Sequence, residues 1–249
     1  IQPYFYIRDR TPTMAPTKTV EASDSIGGKE DWNHIQGAFW RAGDIAPDFK
    51  HVEVTPRFAD EASQVIEDHD GEKPLFFYLP LPSPHTPWLP TEEFIGKSDA
   101  GMYGDFTMLV DSVVGQVVAS LEKAGMTENT LVIFSSDNGP EDFQIGNAAH
   151  SGVGDAGPLR GRKRSIYEGG IRTPFLIRWP GHIPSGKVNG TSVLCGVDFI
   201  PTLCALAKAN SPPVLELDGE DMSDVLLGSD RLRQRPLFWE WRYRVFGRP

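Results

Sequence analysis

The stretch that most constrains this chain is Leu131-Val-Ile-Phe-Ser-Ser-Asp-Asn-Gly-Pro140, where an apolar run ends in polar oxygens and a turn. Leu131 to Phe134 is short, apolar and partly β-branched, a pattern that predicts a strand covered on both faces in a parallel sheet. Gly139-Pro140 breaks it. Ligands of open α/β sheets bind beyond the carboxyl ends of strands, so Asp137 and Asn138 emerge where chemistry is commonly placed. Both offer hard oxygens suited to Ca²⁺ or Mg²⁺. The same residues also read as an ordinary turn, since Asp, Asn and Gly are frequent turn formers.

Size and charge narrow the classes. A chain of 249 residues that is 39% hydrophobic can bury the core of one large domain or of one and a half. Its net charge of −10 argues against nucleic acid or an anionic membrane as the main partner, so an anionic substrate needs a locally positive pocket. No apolar run approaches the ~20 residues of a membrane helix. The first residues carry no signal-peptide pattern, and a start at Ile1 leaves an earlier one open. Cys195 and Cys204 are too few for a disulfide framework and fit no metal-binding spacing, which makes them small core residues.

Along the chain, residues 1–56 are rich in Pro, Gly and Thr and hold no sustained period, so they read as surface loops. Pro16 to Ala22 is a candidate edge strand, and Phe39-Trp40-Arg41 tucks aromatic side chains against the body. From Thr55 to His69 the apolar positions Phe58, Ala62, Val65 and Ile66 recur at helical spacing, with Pro56 in the first turn and His69 at the solvated end. Leu75 to Leu79 predicts a buried strand, followed by a loop held extended by Pro80, Pro82, Pro84 and Pro87, with His85 in it. Gly104 to Gly125 predicts a long helix with Phe106, Leu109, Val110, Val113, Val114, Val117 and Leu121 on one stripe and Gly125 as its C-cap.

Gly152, Gly154 and Gly157 formally match G-x-G-x-x-G, but Pro158 and Gly161 stand where the phosphate-binding helix should begin, so the pattern reads as a flexible loop. His150 lies in that loop, either solvated or touching substrate. Arg160, Arg162, Lys163 and Arg164 form the densest cationic cluster of an acidic chain, a composition that by itself describes a solvated face. Beyond the strand Pro174 to Trp179, Asp198 to Lys208 predicts a packing helix with Pro201 in its first turn. Ser211-Pro-Pro213 reads as a linker, Leu217 to Gly228 as a short further piece, and Arg235 to Arg242 as a strand entering a small C-terminal subdomain. The expected division is therefore 1–210 and 211–249. Asn189-Gly-Thr191 is a formal N-glycosylation acceptor.

Several of these segments together resemble the sulfatase family. Ser136-Asp-Asn-Gly139, Leu159-Arg-Gly-Arg-Lys163, Glu168-Gly-Gly-Ile-Arg-Thr-Pro174 and Trp179-Pro-Gly181 stand in the family's order and spacing, and Pro74-Leu-Phe-Phe-Tyr-Leu-Pro80 runs into Pro84-His-Thr-Pro87 as its histidine-bearing strand does. The likeness spans nearly the whole chain and is best between Lys73 and Gly181. It implies an alkaline-phosphatase-like three-layer α/β sandwich with a mostly parallel central sheet. It also implies Asp137 and Asn138 as ligands of Ca²⁺, or alternatively Mg²⁺, and Lys163 and His85 as catalytic, sulfate-contacting groups, with His150 as a further substrate contact. The implied partner is a sulfated small molecule or carbohydrate, and the implied location periplasmic, secreted or lysosomal.

The family's nucleophile is a formylglycine made from the first residue of Cys- or Ser-x-Pro-Ser-Arg, and no such motif occurs in these 249 residues. Cys195 is followed by Gly-Val-Asp and Cys204 by Ala-Leu-Ala. The resemblance thus implies an internal piece of a sulfatase domain, truncated at the N-terminus and inactive alone. Two other readings stand beside it: a phosphate-ester or phosphonate hydrolase of the same superfamily, and a non-catalytic glycan binder using Phe39-Trp40 and Trp239 to Tyr243.

Overall fold

The computed structural model describes residues 2–25, 38–140, 156–210 and 216–241. Its centre is a pair of helices, α1 (Val54–Glu67) and α2 (Gly101–Lys123). In α1, Pro56 falls in the first turn, where its missing N–H has no intrahelical partner to lose. The buried side chains of α1 are Thr55, Ala59, Ala62 and Ile66, spaced three to four apart as one face of a helix requires. Phe58 and Val65, expected on that face, lie on the exposed side. Small alanines let α2 approach closely, whereas Phe58 would hold it away. Phe106, Leu109 and Val113 of α2 close over Ala59, with Trp88 between them and Leu81, Phe94, Met102 and Tyr103 at the margin. Polar side chains seal the rim: Gln116 donates to Asp60 at 3.0 Å, and Lys123 pairs with Glu67 at 2.6 Å.

The ends of α2 are set by local chemistry. Asp105 accepts the backbone N–H groups of Gly96 and Ser98, both at 2.8 Å, and so pins the preceding loop to the first turns. Burial raises the Asp105 carboxyl, but these hydrogen bonds outweigh it and hold the group below the ordinary range. At the other end Gly125 takes φ of 70°, with Gly125 N bonded to Glu122 O and Met126 N to Leu121 O. That is the paired-bond stop that a glycine one residue past the cap permits.

The strands are short. Three antiparallel pairs lie in the N-terminal region: β1 (Ile7–Arg8) with β2 (Thr11–Pro12), β3 (Lys18–Val20) with β6 (Gly43–Ile45), and β4 (Ser23–Ser25) with β5 (Ala38–Trp40). The predicted edge strand around Pro16 to Ala22 is thus β3. The fourth pair joins β7 (Val132–Ser135) to β8 (Phe175–Arg178), antiparallel, with Ser135 opposite Phe175 and Val132 opposite Arg178. Trp179 Nε1 donates to Glu128 O across the foot of this pair.

These pairings correct the expected sheet. Among the described residues every sheet has two strands and is antiparallel, so the mostly parallel central sheet is not formed by them. Leu75 to Leu79, expected as a buried strand, forms no strand among the described residues and is exposed except at half-buried Leu79, with Phe76 78% accessible. Among the described residues Arg235 to Trp241 likewise forms no strand, with Phe238 88% accessible, while Arg242 lies outside the described residues. A strand exists only as a partner of another, and no described strand lies against either segment.

The four-residue α3 (Glu168–Ile171) precedes β8, and beyond it the C-terminal part packs around α4 (Phe199–Leu206) and α5 (Ser223–Leu226). Met222, fully buried, donates its backbone N–H to Thr202 Oγ1 at 2.9 Å. Asp198, 2% exposed, is held by both arms of Arg233 at 2.5 and 2.8 Å, and by the N–H groups of Cys195 and Glu220. Burial raises the Asp198 carboxyl, and the Arg233 and backbone hydrogen bonds more than reverse this, leaving it below the usual range. Asn189, the formal glycosylation acceptor, donates to Ser192 Oγ and Ser229 O and accepts from Thr191 N and Ser192 N. Residues 216–233 are thereby fastened to the 187–206 segment. Cys195 and Cys204 are free and half-buried rather than core residues, and the Cys195 sulfur caps the 3₁₀ turn Gly196–Asp198 that leads into α4.

Candidate active site

Three backbone segments meet at the tip of β7. The turn 136–140 is joined to α3 by Gly139 N to Gly170 O at 2.8 Å, and to the cationic loop by Lys163 N to Pro140 O at 2.8 Å. The loop is joined to α3 by Gly169 N to Arg160 O at 2.7 Å. Glycines make this closeness possible: a Cβ on Gly139 would stand 1.9 Å from Gly169 O, and one on Gly170 2.4 Å from Arg162 O. Ser135 at the end of β7 adds a side-chain tie, donating to Pro174 O at 2.8 Å. The Gly-Gly pair of the Glu168 motif is therefore the hub on which the two candidate segments are mounted, a role that its spacing alone did not reveal.

Asp137 projects from this hub as an exposed carboxylate, and Asn138 is half-buried. Asn138 Nδ2 donates to Gly139 O at 2.8 Å, which leaves Oδ1 as the end available to a cation. Two hard oxygens on one turn suit Ca²⁺ or Mg²⁺, and they supply part of the about six to eight oxygens that Ca²⁺ takes. Among the described residues no group of three or more His, Cys, Asp and Glu side chains is arranged to hold a metal ion.

The four cations of the loop divide. Arg160 lies over the Tyr167 ring, 3.9 Å from its centroid, so its guanidinium braces the loop. Arg162 turns its backbone N–H and carbonyl onto Ser165. Arg164 adopts φ of 71°, a left-handed conformation costing on the order of 1–2 kcal/mol for a residue with a Cβ. Lys163 is half-buried, and its backbone is bonded two residues from Asn138. His85 is exposed on the Pro-rich loop, and among the described residues its polar contacts are with Thr86 of its own loop. His150, Gly152 and Gly154 lie outside the described residues. The structure therefore brings Asp137, Asn138 and Lys163 onto one hub, with His85 mounted separately beside the α1–α2 core.

Likeness to known proteins agrees with this architecture. The sulfatase family model matches residues 21–209. The chain is 38% identical over 168 residues to arylsulfatase A of Homo sapiens, covering 68% of this chain and 32% of that protein. It is 31% identical over 222 residues to N-acetylgalactosamine-6-sulfatase of Mus musculus, covering 88% of this chain and 41% of that one. Among solved structures, one from Bacteroides thetaiotaomicron, described in the metabolism of multiple glycosaminoglycans, superposes with a TM-score of 0.67 at 29% identity, over 76% of this chain and 41% of that chain. Ps i-CgsB, solved in complex with k-i-k-neocarrahexaose, superposes with a TM-score of 0.62 at 31% identity, over 71% of this chain and 39% of that chain. The chain spans about a third to two fifths of the length of these relatives.

The class these solved neighbours define is that of the sulfatases, which have an alkaline-phosphatase-like fold. Within it, the chain belongs to the sulfatase family.

Proposed function

We propose that the protein containing this chain hydrolyses sulfate esters of a saccharide, and that Asp137, Asn138, Lys163 and His85 contribute its cation-binding and sulfate-contacting groups. The observation that carries the reading is the pair of main-chain bonds, Gly139 to Gly170 and Lys163 to Pro140, that mounts two oxygen ligands and an ammonium-bearing loop on one rigid hub. Asp137 and Asn138 Oδ1 would hold Ca²⁺, or Mg²⁺, whose chemistry when bound is that of a Lewis acid toward a sulfate oxygen. Lys163 neutralises charge on the sulfate and on the ester oxygen as it leaves, a task suited to a compact ammonium. His85 binds a sulfate oxygen or donates a proton to the leaving oxygen. A formylglycine would supply the nucleophile, and since its motif is not among these residues, the 249-residue chain alone does not turn over.

Saccharide chemistry is favoured because similar proteins carry such names and ligands, N-acetylgalactosamine-6-sulfatase and the neocarrahexaose complex among them. Asn138, an amide where a two-metal phosphohydrolase would use a charged or imidazole ligand, favours sulfate over phosphate esters. Titration calorimetry of Ca²⁺ into the chain tests the cation site: binding lost in Asp137→Ala supports it, and unchanged binding removes it. Side-by-side turnover of a sulfate and a phosphate monoester, by the polypeptide that also carries the nucleophile motif, tests the reaction. Faster phosphate turnover would reverse the assignment. Exposed Phe238, Trp239 and Trp241 also suit stacking on sugar rings. Glycan affinity that survives both Asp137→Ala and Lys163→Ala would favour a binding role without catalysis.

A further inference from the structure

Of the residues from Pro80 to Trp88, four are prolines without an N–H to donate, so this loop cannot be held by a backbone ladder. Side chains hold it instead. At its entrance Ser83 Oγ shares a hydrogen bond with Thr55 Oγ1, and Thr55 is buried in the first turn of α1, 3% exposed. At its exit the Trp88 indole donates Nε1–H to Pro84 O at 3.1 Å. The Trp88 ring is itself set among Ala59, Phe106, Leu109 and Val113, in edge contact with Tyr103 at 5.3 Å. Between these pins stands His85, with Nδ1 2.8 Å from Thr86 O and 3.5 Å from Thr86 Oγ1. A carbonyl oxygen only accepts, so the shorter contact requires that Nδ1 carry the hydrogen and Nε2 the lone pair.

We infer that Thr55 and Trp88 are positioning residues for His85, holding the loop 83–88 so that Nδ1–H stays on Thr86 O and Nε2 is the nitrogen presented outward, where it takes up the proton that it then donates to the ester. The inference rests on the reading above that His85 meets the sulfate ester. It adds which nitrogen does so and which residues outside the loop's own crown determine it. A solvated histidine side chain favours the other tautomer, Nε2–H, so the form found reports whether the loop is in place. The helix-pair core and the reacting group are linked through Thr55 to Ser83 on one side and Trp88 to Pro84 on the other. A shift of about 1 Å in such a group lowers a rate on the order of a hundredfold.

The test is the ¹⁵N imidazole spectrum of the full chain as wild type, Thr55→Ser, Thr55→Val and Trp88→Phe. Wild type and Thr55→Ser are expected to show the Nδ1–H tautomer at His85. Thr55→Val and Trp88→Phe, each lacking one pin, are expected to show a mixture with Nε2–H while the Leu109 and Val113 methyl signals stay in place. A wild-type Nε2–H tautomer overturns the proposal, as does a wild-type signature in both Thr55→Val and Trp88→Phe. Should Thr55→Val fail to fold, Trp88→Phe decides, since the phenyl ring keeps the packing and removes only the donor. His85→Ala that leaves sulfate-ester turnover unchanged, in the polypeptide that also carries the nucleophile motif, would sink the functional reading without touching the tautomer result, so the two failures are separable.

Discussion

The hub at the tip of β7 and the clasp around Asp198 solve opposite problems. At the hub, main-chain groups pack against main chain through Gly139, Gly169 and Gly170, and the charged side chain of Asp137 stays exposed. At the clasp, the charges turn inward: Asp198 and Arg233 form a two-armed pair, with Glu220 3.6 Å from Arg233 Nε and Arg231 3.8 Å from Glu220. A buried pair serves structure, because each partner left alone would be an uncompensated charge in a poorly solvated place. An outward carboxylate on a stiff backbone serves ligands, because its interactions are left unspent on the fold. The contrast separates residues whose loss unfolds the protein from residues whose loss disarms it.

The sharpest break in this contrast is Arg233→Met, which strands the Asp198 carboxylate. It is expected to destabilise the chain by about 3–5 kcal/mol, read by urea unfolding. Gly139→Ala attacks the hub's backbone instead. Its Cβ would collide with Gly169 O, and a loss of roughly 1–3 kcal/mol is expected, with weakened Ca²⁺ binding by calorimetry, because the turn and α3 must move apart.

Acid tests the same division more gently. Asp198 and Asp105 are both held below the ordinary carboxylate range in the fold. Each therefore contributes stability that is fully present above the unfolded value of about 3.9 and is lost as pH falls through the lower folded value. Unfolding midpoints should hold steady from neutral pH to about 5 and then drop below about 4. In Asp105→Asn that drop should be smaller, and equal steepness in the variant would refute the assignment.

The smallest effect on stability is expected at the outward groups. Asp137→Ala and Lys163→Ala should each change unfolding free energy by no more than about 0.5 kcal/mol, while the first abolishes Ca²⁺ binding and the second weakens inorganic sulfate binding. A large stability loss in either would move that residue from the ligand side of the comparison to the structural side.

Legibility followed the same line. The stripe on α2 could be read because Phe106, Leu109, Val110 and Val113 repeat at the helix's own period, and Gly125 marked its end because only a residue tolerant of positive φ stops a helix that way. The face of α1 was misjudged, since hydrophobicity favoured Phe58 and Val65 while close packing against α2 selected Ala59 and Ala62. The candidate site was visible as motifs, Asp137-Asn138 and Lys163, whose order resembles a known family. Which main-chain groups joined them was not visible, because Gly139 and Gly170 are far apart along the chain and carry no side chain to advertise the contact.

The amino-acid sequence by itself determined α1, α2 and α4, the glycine stop of α2, the cationic loop and the family, because each depends on neighbours within a turn or two or on a fixed ordering of motifs. Tertiary structure alone decided that β7 pairs with β8 in antiparallel register, that residues 75–79 form no strand with the described residues, and that Arg233 reaches back to Asp198. The reason is physical: helix hydrogen bonds close within four residues, whereas a strand or a buried charge must find its partner across the fold.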